Sequence, residues 1–284
     1  MLVLTGTDGF IGRNILERFS METDDEIITV DFKSDINPFV FLENLKNNKY
    51  KNIDTIIHNG ACSDTTNCNP RYVMKHNFDY TRSLFNYCRD NKIRLIYASS
   101  ASVYGDGPFR EGATKKPKNL YALSKSMFDD YCHYFDSNVV GLRYFNVYGK
   151  YEENKKHMAS VMYKFYNQLE SGKIKLYENS SNYLRDFVHI SDICAITMKI
   201  FKNKNIKGIV NVGTGKERSF LDIANIFVEK YNVSIDKIPM PGSLKDKYQA
   251  FTKSDNTRFD SLLQHKYLSL EEGIEEYLRY LEAK

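Results

Sequence analysis

Three residues in the middle of the chain have types and a spacing that suit proton transfer to or from an alcohol. Tyr121 and Lys125, in the segment YALSK, would share one face of a helix. A lysine ammonium beside a phenol lowers the pKa of the phenol because it favours the phenolate. Ser100, at the end of the apolar segment RLIYASS, could hydrogen-bond the same oxygen. Such a tyrosine can accept a proton from a substrate alcohol, although a YxxxK pair alone is more often structural.

A glycine-rich turn near the start of the chain could hold the phosphates of a dinucleotide. Gly6, Gly9 and Gly12 lie between the apolar segment VLT and a helical stretch. Glycine allows a tight turn and lets backbone amides approach a pyrophosphate at the helix N-terminus. Asp31 follows the next apolar run, where a carboxylate can accept hydrogen bonds from the adenosine ribose of NAD. Lys33 could instead pair with the 2′-phosphate of NADP, and the residues alone leave this choice open.

Alternating apolar and helical segments would position these groups. The apolar segments are VLT (3–5), IITV (27–30), TIIH (55–58), RLIYAS (94–99) and NVVGLRYF (138–145). The helical stretches between them lie near 13–19, 72–90 and 121–134. This alternation predicts an α/β fold with a doubly wound parallel sheet. After residue 145 the rhythm loosens, with helical stretches near 159–170, 191–201 and 220–231 and from 270 onwards. They predict a smaller, interleaved α+β lobe.

Composition and charge exclude several classes of protein. The chain has 284 residues, of which 42% are hydrophobic and 27% charged, so disordered and fibrous classes are excluded. No apolar run approaches the roughly 20 residues of a membrane span, and the first residues lack the features of a signal peptide. We therefore expect a cytoplasmic protein that binds no membrane. The net charge of +4 is scattered, which argues against a nucleic-acid partner. The 5 cysteines include no CxxC pair and the 6 histidines form no ligand pattern, so no metal site is expected.

Longer stretches of the sequence resemble the extended short-chain dehydrogenases/reductases, the superfamily of NAD-dependent nucleotide-sugar epimerases and dehydratases. The glycine turn, the serine and the YxxxK pair are features of the whole superfamily. Further matching stretches span nearly the whole chain: GACSDTT (60–66), YASSASVYG (97–105), LRYFNVYGK (142–150), MASV (158–161), LRDFVHISD (184–192), NVGTG (211–215) and KYQAFTKSD (247–255). Among these, GACSDTT, MASV and YQAFT resemble the heptose 6-epimerase family in particular.

The resemblance implies a Rossmann fold and an isomerase with one tightly bound NAD or NADP per subunit. The substrate would be a nucleotide-diphosphate sugar, and the enzyme a homo-oligomer. The implied cofactor-binding residues are Gly6, Gly9, Phe10, Ile11, Gly12, Asp31, Lys33, Asn59, Gly60, Ala61, Cys62, Ser63, Asn77, Tyr121, Lys125 and Val147. The implied substrate-binding residues are Asn146, His157, Lys164, Tyr177, Glu178, Asn179, Ser180, Arg185 and Tyr248. The dinucleotide-binding domain would comprise residues 1–146, about 187–216 and 251–264. The substrate lobe would comprise about 147–186, 217–250 and 265–284.

Epimerisation by transient oxidation requires acid/base groups on two sides of the sugar, because the ketone must be reduced on the face opposite to the one oxidised. Ser100, Tyr121 and Lys125 would serve one side. The resemblance assigns the second acid/base to Lys155, and Lys156 is the alternative. A lysine can take this role if burial or a neighbouring cation lowers its pKa towards neutrality.

Departures from the family pattern leave alternatives open. The segment after Asp31 is short and lacks most of the family's residues for a 2′-phosphate, and His157, Lys164 and Asn179 replace other residue types. Another sugar or nucleotide, handled by a 4-epimerase or a 4,6-dehydratase, is therefore an alternative. Such dehydratases have an Asp-Glu pair after the serine, where this chain has Ala101 and Ser102, which argues against elimination. A non-catalytic dinucleotide-binding protein would be expected to lack the tyrosine or the lysine.

Overall fold

A computed structural model describes residues 1–135, 137–242 and 249–284. Its central sheet has six strands: β1 (Leu2–Thr5), β2 (Ile27–Val30), β3 (Thr55–His58), β4 (Arg94–Ser100), β5 (Val139–Tyr144) and β9 (Gly208–Val212). They are all parallel, in the order β2-β1-β3-β4-β5-β9. Strands β1, β3 and β5 are buried along their whole length, which explains their continuous apolar sequences. The predicted doubly wound parallel sheet is confirmed.

Ten α-helices are described, and those of the first half cover both faces of the central sheet. They are α1 (Phe10–Glu22), α2 (Pro38–Lys46), α3 (Pro70–Val73), α4 (Tyr80–Asp90), α5 (Leu120–His133), α6 (Val161–Tyr166), α7 (Ile190–Lys202), α8 (Phe220–Tyr231), α9 (Thr257–Leu262) and α10 (Leu270–Glu282). Successive strand residues serve opposite cores, because side chains alternate along a strand. Leu2 and Leu4 pack in the core with α1 and α7, and Val3 packs in the core with α2, α4 and α5. None of the described helices is long and apolar enough to cross a membrane.

The helix predicted near 72–90 contains a wider turn. A π-helix, Met74–Asp79, connects α3 to α4 without a break. Such turns occur frequently at functional sites. Here the π-helix contains Asn77, whose side chain is buried beneath the cleft described below.

A second layer of structure lies over the carboxyl ends of the central strands. Strands β6 (Asn146–Tyr148), β8 (Leu184–His189) and β10 (Glu217–Ser219) form one sheet, and β7 (Lys173–Tyr177) pairs with β11 (Ser234–Ile238) in another. A third core, with Phe165 of α6, Phe227 of α8 and Ile274 of α10, joins these elements. The helix predicted near 159–170 is shorter than expected: α6 ends at Tyr166, and beyond it the Gln168 side chain donates to the Lys164 carbonyl oxygen (2.9 Å). The predicted domain boundaries stay a prediction.

Candidate active site

The carboxyl ends of the central strands open into a cleft of about 1590 Å³. Residues of β1, β3, β4 and β5 form its floor, and residues of the second layer, from Asn146 to Ile238, form the opposite wall. The volume exceeds the roughly 300–1,000 Å³ of an ordinary small-molecule pocket. The cleft can therefore hold two ligands side by side.

The glycine turn forms one end of the cleft. Gly6 has a φ of +78°, and a Cβ at this position would lie 2.5 Å from the Gly60 nitrogen. A Cβ on Gly12 would lie 2.0 Å from the Gly6 oxygen, so both positions require glycine. Helix α1 begins after Gly9 without a side-chain cap, which leaves backbone N–H groups facing the cleft. This arrangement fits the pyrophosphate of a dinucleotide.

Two carboxylates lie beside the turn. Asp31, directly after β2, accepts a hydrogen bond from the Asp8 N–H at 3.1 Å and one from the Phe32 N–H at 2.6 Å. Burial, and then the charge of Asp31, raise the pKa of Asp8. Lys33 also lines the cleft, and its charge and that of Arg13 act on Asp8 in the opposite direction.

The segment after β3 passes under the middle of the cleft, where Asn59, Gly60, Ala61, Cys62 and Ser63 all line it. Asn77 lies behind this segment and holds it: its Oδ1 accepts from the Cys62 N–H (2.8 Å), and its Nδ2 donates to the Cys62 oxygen (3.0 Å). The buried Oδ1 of Asn59 has no hydrogen-bond partner among the described residues. A donor from a bound dinucleotide would satisfy it, so the residues present fit such a cofactor.

Ser100, Tyr121 and Lys125 meet at the centre of the cleft. Ser100 ends β4, and α5 begins one residue before Tyr121, capped by the Asn119 side chain, which accepts from the Ala122 N–H at 2.8 Å. Ser102 donates to the Ser100 hydroxyl oxygen through its N–H (3.2 Å) and through its own hydroxyl (2.9 Å). The Ser100 hydroxyl proton is therefore left for its hydrogen bond with Tyr121.

The group that lowers the pKa of Tyr121 is not the predicted lysine. Burial raises the pKa of Tyr121, and the group that opposes this rise is Ser100, not Lys125. Lys125 is buried and donates to the Ala98 oxygen at 2.7 Å. Burial also lowers the pKa of Lys125 to about 8, against the opposing effect of Asp129. The Lys125 ammonium is thus directed to a strand carbonyl.

Asp129, which no sequence motif indicated, supports this centre from below. Its carboxylate accepts from the Tyr97 hydroxyl (2.8 Å), the Ser99 hydroxyl (3.0 Å) and the Arg143 Nε (2.9 Å), all of them buried. A signal was present, because Asp129 follows Lys125 by one helical turn, as Lys125 follows Tyr121. His58 was also missed as a support: its ring is hydrogen-bonded to Thr5 (2.6 Å) and Thr81 (2.9 Å).

Lys155 lies on the wall contributed by the second layer, in the 3₁₀ segment Glu152–Met158. Its Nζ is 5.0 Å from the centre of the Phe10 ring. Burial lowers the pKa of Lys155, Glu152 opposes this effect, and Lys164 lowers the pKa further. Lys156 is exposed and is not among the described residues that line the cleft.

Contacts also cross the mouth of the cleft. His157 Nε2 lies 3.6 Å from Asp64 Oδ1 and 3.5 Å from the Thr66 hydroxyl. The Thr65 hydroxyl donates to the sulfur of Met158 at 3.8 Å. The stretches GACSDTT and MASV, remote in sequence, therefore meet over one cleft.

The structure brings most of the other predicted substrate-binding residues to the lining of the same cleft. Those that line it are Asn146, His157, Lys164, Tyr177, Ser180 and Arg185, together with the predicted cofactor residue Val147. Glu178 and Asn179 follow Tyr177 but are not among the described lining residues, and Tyr248 lies outside the described part of the chain. Arg185 donates to the Leu184 oxygen (2.9 Å), and its guanidinium lies 5.6 Å from the centre of the Phe220 ring.

Comparisons with known proteins agree with this geometry. The family model described as "NAD dependent epimerase/dehydratase family" matches residues 2–213. The chain is 39% identical to an ADP-L-glycero-D-manno-heptose-6-epimerase of Brachyspira hyodysenteriae, over 99% of this chain and 98% of the relative.

Two solved structures extend the comparison. The ADP-L-glycero-D-manno-heptose-6-epimerase of Helicobacter pylori has a TM-score of 0.86 and 30% identity, over 100% of this chain and 96% of the other. A UDP-N-acetylglucosamine 4-epimerase from Methanobrevibacter ruminantium has the same fold, with a TM-score of 0.86 and 21% identity, over 99% of this chain and 98% of the other. With the glycine turn, the Ser100–Tyr121–Lys125 group and a family match over most of its length, the chain belongs to the NAD dependent epimerase/dehydratase family and is an enzyme of the epimerase type.

Proposed function

We propose that this enzyme inverts carbon 6 of an ADP-glycero-manno-heptose. The observation that carries the proposal is that Tyr121, at the start of α5, and Lys155, in the 3₁₀ segment Glu152–Met158, line the same cleft. An epimerase that oxidises one face of a carbon and reduces the other needs acid/base groups on both sides. The two relatives named as ADP-L-glycero-D-manno-heptose-6-epimerases, at 39% and 30% identity, support the choice of sugar nucleotide.

Tyr121, Ser100 and Lys155 each have a separate role in the proposed reaction. Tyr121 accepts the proton of the alcohol as its phenolate. The Ser100 hydroxyl donates a hydrogen bond to the phenolate oxygen and so opposes the effect of burial, which raises the pKa of Tyr121. The transient ketone turns within the cleft, and the Lys155 ammonium donates a proton to the alkoxide oxygen that forms when the hydride returns. Proton exchange with solvent then restores Tyr121 and Lys155. Bound NAD supplies the hydride acceptor and, in the second half of the reaction, the hydride donor. Because the cleft holds both acid/base groups, the substrate need not leave between the two steps.

We propose NAD, held tightly with one molecule per subunit, as the cofactor. Asp31 and Asp8 form a pair of carboxylates where the adenosine ribose of a dinucleotide would lie. They would accept hydrogen bonds from ribose hydroxyls and repel a 2′-phosphate, while Lys33 offsets only part of this charge. The remainder of the dinucleotide would be held by the glycine turn, by Asn59 and by the segment at Cys62, which Asn77 holds in place.

The far end of the cleft would hold the nucleotide diphosphate. Arg185 and Lys164 contribute positive charge there, and Tyr177 and Ser180 contribute hydroxyl groups. Glu178, Asn179 and Tyr248 remain candidates for the same role. The further proposal that the enzyme is a homo-oligomer rests on the sequence resemblance.

The test is to incubate the enzyme and NAD with ADP-D-glycero-D-manno-heptose and to follow the sugar by NMR. We expect conversion to the L-glycero epimer, with no accumulation of NADH absorbance, because the same cofactor takes and returns the hydride. Tyr121→Phe should lose on the order of 10²-fold or more in rate, typical of a lost acid/base group, while still binding NAD. NADH accumulating in proportion to substrate would instead identify a dehydrogenase. Turnover of a UDP-hexose in place of the heptose would identify a 4-epimerase.

A further inference from the structure

The side chain of Asn146 is held at one end by a buried threonine. Asn146 is the first residue of β6 and is separated from the end of β5 by Phe145. It lines the cleft. Its Oδ1 accepts a hydrogen bond from the Thr252 hydroxyl at 3.3 Å. Thr252 is only 3% exposed and is not one of the lining residues in the described part of the chain. Among the side-chain hydrogen bonds described for Thr252, the one to a lining residue is the bond to Asn146.

Strand β8 fixes the position of Thr252. The Thr252 N–H donates to the Leu184 oxygen at 3.1 Å, and the Thr252 hydroxyl oxygen accepts from the Asp186 N–H at 3.1 Å. A hydroxyl group has one proton to donate. The Thr252 oxygen accepts from the Asp186 N–H, and its one proton is donated to the Asn146 oxygen.

The carboxylate of Asp186 makes this support rigid. Asp186 has no exposed surface, and its oxygens accept from the Thr214 N–H (2.8 Å), the Thr214 hydroxyl (2.6 Å), the Gly215 N–H (2.9 Å) and the Ser254 N–H (2.9 Å). A buried, fully hydrogen-bonded network of this kind favours one arrangement of its groups. It ties the segment that contains Thr252 to the loop after β9.

The consequence for Asn146 is that its amide has a defined direction. The Asn146 oxygen faces Thr252, so the Asn146 NH₂ group is directed to the cleft. Among the residues that the structure describes, none accepts a hydrogen bond from this NH₂ group. The hydroxyl, ring and phosphate oxygens of a sugar nucleotide all accept hydrogen bonds. Without the Thr252 hydroxyl, the amide could turn its oxygen towards the substrate.

We propose that Thr252 is a positioning residue for the substrate. Its hydroxyl fixes the Asn146 amide so that the NH₂ group faces the cleft and donates to an acceptor oxygen of the sugar nucleotide. This assignment rests on the proposed function and adds to it a residue that does not itself touch the substrate.

The experiment compares Thr252→Val, which removes the hydroxyl at nearly constant volume, with Thr252→Ser, which keeps it. Binding of ADP-mannose to the NAD-loaded enzyme is measured by calorimetry, and kcat and KM are measured with the ADP-heptose. We expect Thr252→Val to weaken ADP-mannose binding about fivefold to tenfold, in keeping with one net hydrogen bond, and to raise KM more than it lowers kcat. Thr252→Ser should stay within about twofold of the parent, since the hydrogen bond is retained. The Kd for NAD should not change in either variant.

Two further variants test the route through Asn146. Asn146→Asp keeps an acceptor but lacks the NH₂ donor, so it should bind ADP-mannose at least as weakly as Asn146→Ala. Adding Thr252→Val to Asn146→Ala should cause no further loss, because the two residues act through one contact. The matched control is Thr55→Val, a buried threonine at the other end of the strands whose hydroxyl donates to Asp54. It should leave ADP-mannose binding unchanged.

Several results would overturn the assignment: normal binding by Thr252→Val, failure of Thr252→Ser to preserve binding, or additive losses in the double variant. If Thr252→Val does not fold, tight binding by Asn146→Asp would overturn it independently. An enzyme that binds ADP-mannose but inverts no heptose would refute the proposed function, while the binding series would still decide the role of Thr252. If the parent enzyme binds no sugar nucleotide, both proposals fail.

Discussion

Lys155 and Lys156 are neighbours in the chain with different surroundings. Lys155 lines the cleft beside Phe10, and burial and the charge of Lys164 lower its pKa. Lys156 is exposed, with a φ of +52°. Residue type alone does not distinguish two adjacent lysines. In the 3₁₀ segment, the Lys155 side chain lines the cleft and the Lys156 side chain is exposed.

This difference predicts unequal effects of the same substitution. Lys155→Met should lower the epimerisation rate on the order of 10²-fold or more, because a general acid/base is lost. Lys156→Met should lower it by less than about threefold, as expected for a residue without a part in proton transfer. Steady-state rates at saturating ADP-heptose provide the measurement. Near-normal turnover by Lys155→Met would show that another group serves the second face, and His157 would be the next to test.

Asp31 provides a second prediction at the scale of single residues. Its carboxylate, next to Asp8, should make NAD bind more tightly than NADP by at least about tenfold, since a 2′-phosphate would meet two negative groups. Asp31→Asn should reduce this preference. Asp35→Asn removes the same charge four residues later, at an exposed position outside the described cleft lining, and should not alter it. Fluorescence titration with both dinucleotides measures the ratio, and tighter NADP binding by the parent enzyme would contradict the prediction.

Among the elements, the turn between β1 and α1 is the most constrained. A Cβ on Gly12 would lie 2.0 Å from the Gly6 backbone oxygen, whereas a Cβ on Gly112 would have no atom within 4 Å. Gly12→Ala should therefore displace the start of α1, weaken NAD binding by at least about tenfold and destabilise the fold by about 1–3 kcal/mol, as overpacking does. Gly112→Ala is the matched control and should change neither. Calorimetry with NAD and urea unfolding measure the two effects, and tight NAD binding by Gly12→Ala would contradict this account.

The same elements show how far the sequence predicted the structure. Strands β1 to β5 were predictable because each is a short apolar run between helical stretches, and the YxxxK helix because its polar and apolar residues alternate with a helical period. Strand β9 of the central sheet and the second-layer strands β6, β7, β8, β10 and β11 were not identified, since their pairing partners are distant in sequence. The π-helix at Met74–Asp79 was also missed, because its residues are compatible with an ordinary helix.

Within the candidate site, the residues that line the cleft were predictable from motifs, but the buried residues that hydrogen-bond to them from behind were not. Ser100 and Tyr121 belong to recognisable motifs, and the structure brings them into contact. Asp186 and Thr252 influence the cleft only through contacts between elements remote in sequence. The pKa of Tyr121 likewise depends on burial, which no single segment of the chain specifies.

For the molecule as a whole, the buried Lys125 predicts a dependence of stability on pH. Its pKa is about 8 in the folded chain, against 10.5 as its ordinary value. Between these values the unfolded chain holds a proton that the folded chain has released, so stability rises with pH in this window. Below about pH 8 both states are protonated, and the cost of burying the charge is fully present.

The measurement is the free energy of unfolding in urea, without NAD, for the parent enzyme and Lys125→Met. Between pH 8 and 10.5, the parent should gain up to about 3 kcal/mol relative to the variant. Other titrating groups are common to both proteins and cancel in the difference. A difference that stays constant across this window would show that Lys125 titrates normally in the folded chain.

The order of strands in the central sheet has a consequence for synthesis of the chain. Strand β5 ends at Tyr144, but its neighbour β9 begins only at Gly208, after the chain has passed through the second layer. While the ribosome translates the residues between them, β5 has an unpaired edge with free backbone N–H and C=O groups. Such edges pair readily with other chains. A nascent chain that stalls before Gly208 should therefore be prone to aggregate and be a target for chaperones, whereas one that has released β9 should not.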